Sequence, residues 1–397
     1  MVENGNCSNS SLNILVRYNH QSMNIYHNFT YIYTMEYIFM PIWLCLGIPG
    51  SIICFRIWSI RRQHHSSVLY LCLLSINDLL FFIFHFLFYL NNYHYIKTID
   101  NPFMCKFFPF INIILQYAAP LLTLGFSVER CVSVCHPFIS DRISNYKTTV
   151  RTCFLLISIC VLLALPKLYF YSYEGENEEK GSCTVYYQYI ELKDQNLIKK
   201  LRNIMLTYEI VTETMVFAVV PLMIFLVNIR VIFELISMKN RRLISTASQP
   251  SYSNNAASTT TLLIVSFYLL CATIPATVFQ LLKFNNFPKN LCISDSDIWL
   301  NYEWKMHLRH VSIQIPVEML AKTYNAAKFF IYIVTSQWFR SNFQMMFSIK
   351  NRSSSTMTRN SCGNVHIANI SAVFTPLKKS KLFYSNEIEK VYNKCPK

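Results

Sequence analysis

Long apolar runs separated by short polar stretches dominate the chain. An α-helix rises 1.5 Å per residue, so about 20 apolar residues cross a hydrocarbon core about 30 Å thick. Seven stretches approach or exceed that length, at residues 37–55, 68–93, 107–128, 148–167, 204–232, 262–282 and 310–336. The pattern predicts an all-α fold, a bundle of seven transmembrane helices.

Charged residues lie within four of these stretches, and in the fourth and fifth they lie toward the ends, as Glu209 and Glu213 do. Asp78 is the one charge in the second, whereas Glu318, Lys322 and Lys328 all fall within the seventh. Ionisable groups inside a membrane are rare, face the interior of a helix bundle and mark functional positions. We therefore expect these four side chains to face one another or a ligand.

A second, shorter pattern follows the seventh span. Phe339, Phe343, Met346 and Phe347 recur at helical spacing within residues 337–348, which predicts a short amphipathic helix on the inner membrane surface. The chain thus divides into an extracellular glycosylated N-terminus (1–35), a seven-transmembrane domain (36–336), this helix (337–348) and a flexible cytoplasmic tail (349–397). The Ser/Thr/Asn-rich stretch 245–261 is also expected to be flexible.

Composition agrees with a membrane protein. Apolar residues make up 53% of the chain and charged residues only 14%, against about a quarter in soluble domains. The formal net charge is +15, and basic residues gather in the short loops on one face of the bundle. That face is expected to be cytoplasmic, so the net charge reflects topology and attraction to membrane lipid, and no nucleic acid is expected as a partner. The basic loop residues are Arg61, Arg62, Arg142, Lys147, Arg241 and Arg242.

An odd number of spans places the two termini on opposite faces, and because the basic face is expected inside, the N-terminus is expected outside. Residues 1–35 lack the basic-then-apolar pattern of a cleavable signal peptide, so the first span is expected to direct insertion. Three glycosylation sequons lie before that span, at Asn6, Asn9 and Asn28. Four cysteines are also expected in the oxidising compartment, where disulfides persist: Cys105 with Cys183 form one candidate bridge, and Cys7 with Cys292 a second.

The sequence contains no recognisable arrangement of catalytic residues. The histidines, including His64 and His65, show no metal-ligand spacing, and a chain with 7 Gly carries no phosphate-binding glycine loop. The sequence predicts no enzyme, no metal site and no cofactor.

Several motifs occur in the order expected of one family. Leu-Ser-Ile-Asn-Asp ends at Asp78, Glu129-Arg130-Cys131 closes the third span and is followed by Pro137-Phe138, and Asn325-Ala-Ala-Lys-Phe-Phe-Ile-Tyr332 lies in the seventh. Together they resemble the rhodopsin-like (class A) G-protein-coupled receptors. Ala-Leu-Pro166-Lys-Leu-Tyr-Phe and the span-seven segment are most similar to those of invertebrate FMRFamide-type neuropeptide receptors.

The resemblance implies a location, a set of partners and roles for single residues. The receptor would lie in the plasma membrane, couple to a heterotrimeric G protein, and meet a receptor kinase and arrestin through tail residues such as Ser353 and Thr356. Cys105 stands 25 residues before Arg130, the family's spacing for the cysteine that would bridge to Cys183. The switch and G-protein-coupling residues would be Asp78, Glu129, Arg130, Pro137, Phe138, Pro221, Pro275, Lys328 and Tyr332.

Physical chemistry supports these implied roles. Glu129 next to Arg130 suits a local ion pair that opens when Arg130 turns to a G protein, and Pro221 and Pro275 each remove a backbone hydrogen bond in mid-span.

Some residues depart from the family pattern. Lys328 stands where an asparagine or aspartate is usual near the family's sodium site, and Thr273 replaces a tryptophan in the sixth span. A buried carboxylate needs a cation or a proton. We hypothesise that the Lys328 ammonium pairs directly with Asp78 in place of sodium.

Polar residues in the outer halves of the spans indicate the ligand. Asn112 replaces the aspartate that amine receptors share, which disfavours an amine. Glu213 and Glu318 are candidates to accept an arginine of the ligand, with pairing to Lys322 or His310 as the alternative, and Gln116 and Gln280 are expected to line the pocket beside them. With the acidic, aromatic loop 174–189, these residues favour an extracellular basic or amidated neuropeptide.

Two other functions remain open. Lys322 stands ten residues before Tyr332, the offset of the retinal-binding lysine in opsins, so a photoreceptor is one alternative. A polytopic transporter, with the charged seventh span as its ion path, is the other.

Overall fold

The apolar runs fold into long helices. The computed structural model describes residues 30–61, 68–93, 98, 101–136, 138, 140, 145–174, 182–185, 195–244, 251–285 and 300–348. The three sequons, Cys7, Cys292, Pro137 and the tail beyond residue 348 lie outside this description.

Nine α-helices and one β-hairpin account for most of the described chain. In chain order they are α1 (Thr30–Arg61), α2 (Val68–Tyr93), α3 (Pro102–Cys135), α4 (Tyr146–Phe170), β1 (Tyr171–Glu174), β2 (Ser182–Val185), α5 (Gln195–Thr214), α6 (Val220–Ile244), α7 (Ser251–Asn285), α8 (Tyr302–Thr335) and α9 (Gln337–Ser348). A π-helical segment, Met215–Val219, joins α5 to α6, and the three together form the fifth span.

Seven spans pack as a bundle. Among the described residues, six spans are long and apolar enough to cross a membrane by length and composition. The seventh, α8, is 34 residues long but carries the charges noted above. Neighbouring spans pack in ring order: α1 on α2, α2 on α3, α3 on α4 and on α6, α6 on α7, α7 on α8, and α8 back on α1.

Two glycines let α1 approach two neighbouring spans, α2 and α8, closely. A Cβ on Gly47 of α1 would overlap the buried ring of Phe82 on α2. Gly50, one turn further on, faces Phe329 of α8 in the same way, with 3.1 Å between the ideal Cβ position and the Phe329 Cβ. The absence of a Cβ at these two glycines therefore allows α1 to pack this closely against two neighbouring spans.

The β-hairpin packs against α3. Strand β1 pairs antiparallel with β2, with Tyr173 opposite Cys183, and both strands contact α3. Cys105 near the start of α3 is disulfide-bonded and fully buried. The side chain of Cys183 lies outside the described part of the chain, so its pairing with Cys105 stays a prediction.

The helix α9 has the predicted bounds, 337–348, but only part of the predicted orientation. Phe339 is fully buried, with its ring centroid 5.7 Å from that of Trp58 on α1 and 5.6 Å from that of Tyr332 on α8. Phe343 also contacts Phe329 of α8. These two rings therefore pack against the helix bundle, while Met345 and Met346 are exposed.

Some of the sequence-based expectations about the spans differ from the structure. Residues 251–261, expected in a flexible loop, belong to α7, because this stretch holds neither Gly nor Pro to end the helix. The fifth span is interrupted by the π segment just before Pro221, whereas α7 continues through Pro275.

Candidate functional site

A cavity of about 430 Å³ lies between the spans, in the half of the bundle next to the β-hairpin. Contributions come from α2, α3, the end of α4, α5, α7 and α8. Its lining includes all five side chains that the sequence nominated for ligand binding: Asn112, Gln116, Glu213, Gln280 and Glu318. Aromatic rings, among them Phe81, Phe108 and Phe217, form the apolar part of its wall.

One ion pair crosses this cavity from the fourth span to the fifth. Lys167 Nζ lies 2.5 Å from Glu209 Oε1, and the two side chains are only 8% and 18% exposed. The ammonium also lies 5.8 Å from the ring centroid of Tyr208, which donates its hydroxyl to the carbonyl oxygen of Leu163. Lys167 was not recognised from the sequence, where it read as the polar edge of the fourth span.

Tyr171, the first residue after α4, completes this corner. Burial raises the pKa of its phenol to about 12, and the nearby Glu209 carboxylate acts in the same direction. The hydroxyl therefore keeps its proton at physiological pH and remains able to donate a hydrogen bond.

Glu213 and Glu318 both face the cavity but differ in their contacts. Glu318 accepts a hydrogen bond from Gln314 Nε2, which also donates to Gln280 Oε1 at 2.7 Å. Neither carboxylate forms an ion pair with a basic side chain among the residues described. The expected alternative, pairing with Lys322 or His310, is not observed there, and His310 Nε2 contacts the Phe279 carbonyl oxygen at 2.8 Å instead.

One further polar atom in the cavity wall lacks a partner in the described part of the chain. Asn112 Oδ1 is buried and has no hydrogen-bond partner among the described residues. Lys322 and the buried His85 of α2 also line this cavity. A buried acceptor without a donor costs free energy, so a ligand that donates to Asn112 would recover it.

Below the cavity floor lies a buried ion pair. Lys328 Nζ is 2.6 Å from Asp78 Oδ1 and 2.9 Å from Oδ2, with both side chains at most 5% exposed. Asn325 Oδ1 contributes a third, longer contact at 3.4 Å. The space left around the pair is about 10 Å³, at the lower limit for one water molecule.

Tyr324 connects this ion pair to the cavity. Its ring lines the cavity, and the Lys328 ammonium lies 4.3 Å from the ring centroid. Its hydroxyl is 3.2 Å from Thr123 Oγ1 on α3, and its ring stacks on Tyr268 of α7 with centroids 6.4 Å apart. Tyr324 therefore links its own span to two others, a role that a lone tyrosine in the seventh span does not reveal in sequence.

The end of the bundle opposite the cavity holds the remaining switch candidates. Glu129 Oε2 accepts a hydrogen bond of 3.2 Å from Thr149 on α4, and the Arg130 guanidinium lies 5.3 Å from the Phe126 ring centroid. Phe138, beyond the end of α3, is 90% exposed, whereas Pro221 and Tyr332 are buried. The ion pair expected between Glu129 and Arg130 stays a prediction.

A bundle of seven spans with a polar cavity at one end and a Glu-Arg segment at the other defines a transmembrane receptor. The model of the rhodopsin family of seven-transmembrane receptors matches residues 50–311, about two thirds of the sequence, so the chain belongs to that family. The family consists of signalling receptors and not of enzymes, as the sequence predicted.

Two curated relatives come from Caenorhabditis elegans. Nematocin receptor 2 is 22% identical over 121 residues, and Neuropeptide receptor 18 is 30% identical over 125 residues. Each alignment covers 30% of this chain, and the chain spans only about a quarter of either relative, 27% and 25% respectively. The predicted likeness to invertebrate neuropeptide receptors is confirmed by these relatives.

Proposed function

We propose that this chain is a G-protein-coupled receptor for a basic neuropeptide. The observation that carries the proposal is the cavity, where Glu213 and Glu318 have no basic partner among the residues described. In a low-dielectric pocket, an arginine of the ligand would satisfy such a carboxylate by charge-assisted hydrogen bonds. The names of the two relatives support a peptide as the ligand class.

The signal would pass from the cavity to the cytoplasmic end through the seventh span. Tyr324 touches both the cavity and the Asp78–Lys328 pair, so a ligand that shifts this ring changes the surroundings of a buried charge. Arg130 and Phe138, near the inner end of α3, would then engage the G protein. Phe138 is exposed enough to serve as a contact for it.

The proposed orientation is N-terminus outside and C-terminus cytoplasmic, in the plasma membrane. The basic short loops and the three sequons support it. Epitope tags at the two ends should report opposite compartments, with the N-terminal tag stained on intact cells. Staining of both tags on intact cells would contradict the orientation.

A screen of synthetic peptides tests the function. Cells that express the receptor are challenged with basic and with neutral peptides, each amidated, while calcium and cyclic AMP are recorded. We expect a response to a basic peptide. The opsin alternative has its own readout, since Lys322 lines the cavity: visible absorbance after addition of retinal, without a peptide response, would replace the peptide proposal.

A further inference from the structure

The cavity contains its own cation. Lys167 projects from the end of α4 and pairs with Glu209 of α5 at 2.5 Å, and both residues line the same space as Glu213. The carboxylate of Glu209 is therefore already neutralised before any ligand enters. A basic group of the ligand would have to displace Lys167 to use this carboxylate.

The charge balance of the described lining follows from its residues. Three carboxylates (Glu209, Glu213 and Glu318) face two ammonium groups (Lys167 and Lys322). If the buried His85 is neutral, these side chains carry one net negative charge. A partly closed, low-dielectric cavity tolerates little uncompensated charge, so the ligand segment that fits best would bring one positive charge and no more.

We propose that Lys167 is a specificity-determining residue that limits the cavity to a ligand segment with a single net positive charge. This inference rests on the proposed basic ligand, and it specifies how many positive charges the bound segment of that ligand carries. With Lys167 in place, a first arginine brings the net charge of these side chains to zero, and a second arginine adds a positive charge that no carboxylate of the described lining compensates. Without Lys167, the same side chains carry two net negative charges, and a dibasic segment balances them.

The test uses three pools of synthetic peptides on one aromatic scaffold, all Nα-acetylated and amidated, with no arginine, one arginine or two adjacent arginines. Potency is read as calcium release, and surface expression is measured by an N-terminal tag. On the wild type, we expect the one-arginine pool to act at about tenfold lower concentration than the two-arginine pool, because an excess buried charge is costly.

Lys167→Met should remove that preference by improving the potency of the two-arginine pool about tenfold. Lys200→Met is the matched control, since it deletes the same charge from an exposed position of α5 outside the cavity lining. The potency ratio of the two pools should stay unchanged in this control. Because a ratio is compared, a change in expression alone would not produce the result.

A second variant removes a negative charge from the cavity instead of a positive one, and it tests the inference even if Lys167→Met does not fold. Glu209→Gln leaves Lys167 without its carboxylate, so the one-arginine pool should lose about tenfold in potency while the arginine-free pool does not. A ratio that is the same in Lys167→Met, Lys200→Met and the wild type would overturn the inference while leaving the basic ligand intact. If arginine-free peptides activate and both arginine pools are silent, the basic-ligand proposal itself fails.

Discussion

The Lys328 ammonium lies 2.6 Å from one carboxylate oxygen of Asp78 and 2.9 Å from the other, and the two groups are separated by 250 residues in sequence. The pair fastens the seventh span to the second at the centre of the bundle. Removal of one member leaves an unpaired buried charge, whereas removal of both leaves none.

A double-mutant cycle should therefore show strong coupling. Lys328→Met and Asp78→Asn are each expected to lower the unfolding free energy by about 3–5 kcal/mol, because each leaves one buried charge unpaired. The double variant should recover much of this loss. Thermal unfolding of the purified receptor measures the three variants, and purely additive losses would show that the contact has no energetic role.

The same pair predicts insensitivity to sodium. The ammonium occupies the position of a counter-ion for Asp78, and about 10 Å³ of space remains around it. Exchange of sodium chloride for choline chloride at constant ionic strength should leave the melting temperature and peptide potency unchanged. A sodium-dependent rise in melting temperature that disappears in Asp78→Asn would mean that the ion still reaches this carboxylate.

Glu213 and Glu318, the two cavity carboxylates without a basic partner among the residues described, should discriminate between ligands by charge. Glu213→Gln and Glu318→Gln, made singly, are expected to weaken a basic peptide by about tenfold or more, because a charge-assisted hydrogen bond is worth about 1.5–3 kcal/mol. A neutral peptide should change little. Concentration–response curves for both peptides on each variant provide the comparison, and equal losses for both would argue against a direct contact with the ligand's cation.

Phe339 should contribute more to stability than its position after the last span suggests. Its ring is fully buried among Trp58, Phe329 and Tyr332. Phe339→Ala is expected to cost about 3–5 kcal/mol, the usual range for a buried phenylalanine. Met345→Ala, at an exposed position of α9, is the control and should have little effect. Thermal unfolding in detergent tests both, and similar losses for the two would mean that α9 does not dock through Phe339.

These residues also mark the limits of sequence reasoning. The apolar runs predicted the spans because helix length and hydropathy are local properties: the second span was expected at 68–93 and is observed as Val68–Tyr93. Asp78 and Lys328 could be matched because a buried carboxylate requires a partner and few cations lie within spans. The spacing of apolar residues predicted that α9 is a helix. The same spacing fits a face toward lipid and a face toward the bundle, and Phe339 in fact packs against the bundle.

Other features depend on tertiary contacts that no local pattern contains. Lys167 lies at the end of a span, where a snorkelling lysine is ordinary, and only the fold brings Glu209 to it. Tyr324 likewise gains its role from Thr123 and Tyr268 on two other spans. The π segment before Pro221 adds an irregularity that the proline alone does not predict.

Nucleotide exchange on a G protein tests the central claim most directly. The receptor in lipid nanodiscs is mixed with heterotrimeric G proteins, and binding of a non-hydrolysable GTP analogue is followed with and without an activating basic peptide. We expect the peptide to accelerate exchange on the wild type, and Arg130→Ala to abolish that acceleration while peptide binding persists. Peptide binding without any acceleration of exchange by the wild type, across all G-protein classes, would contradict the account.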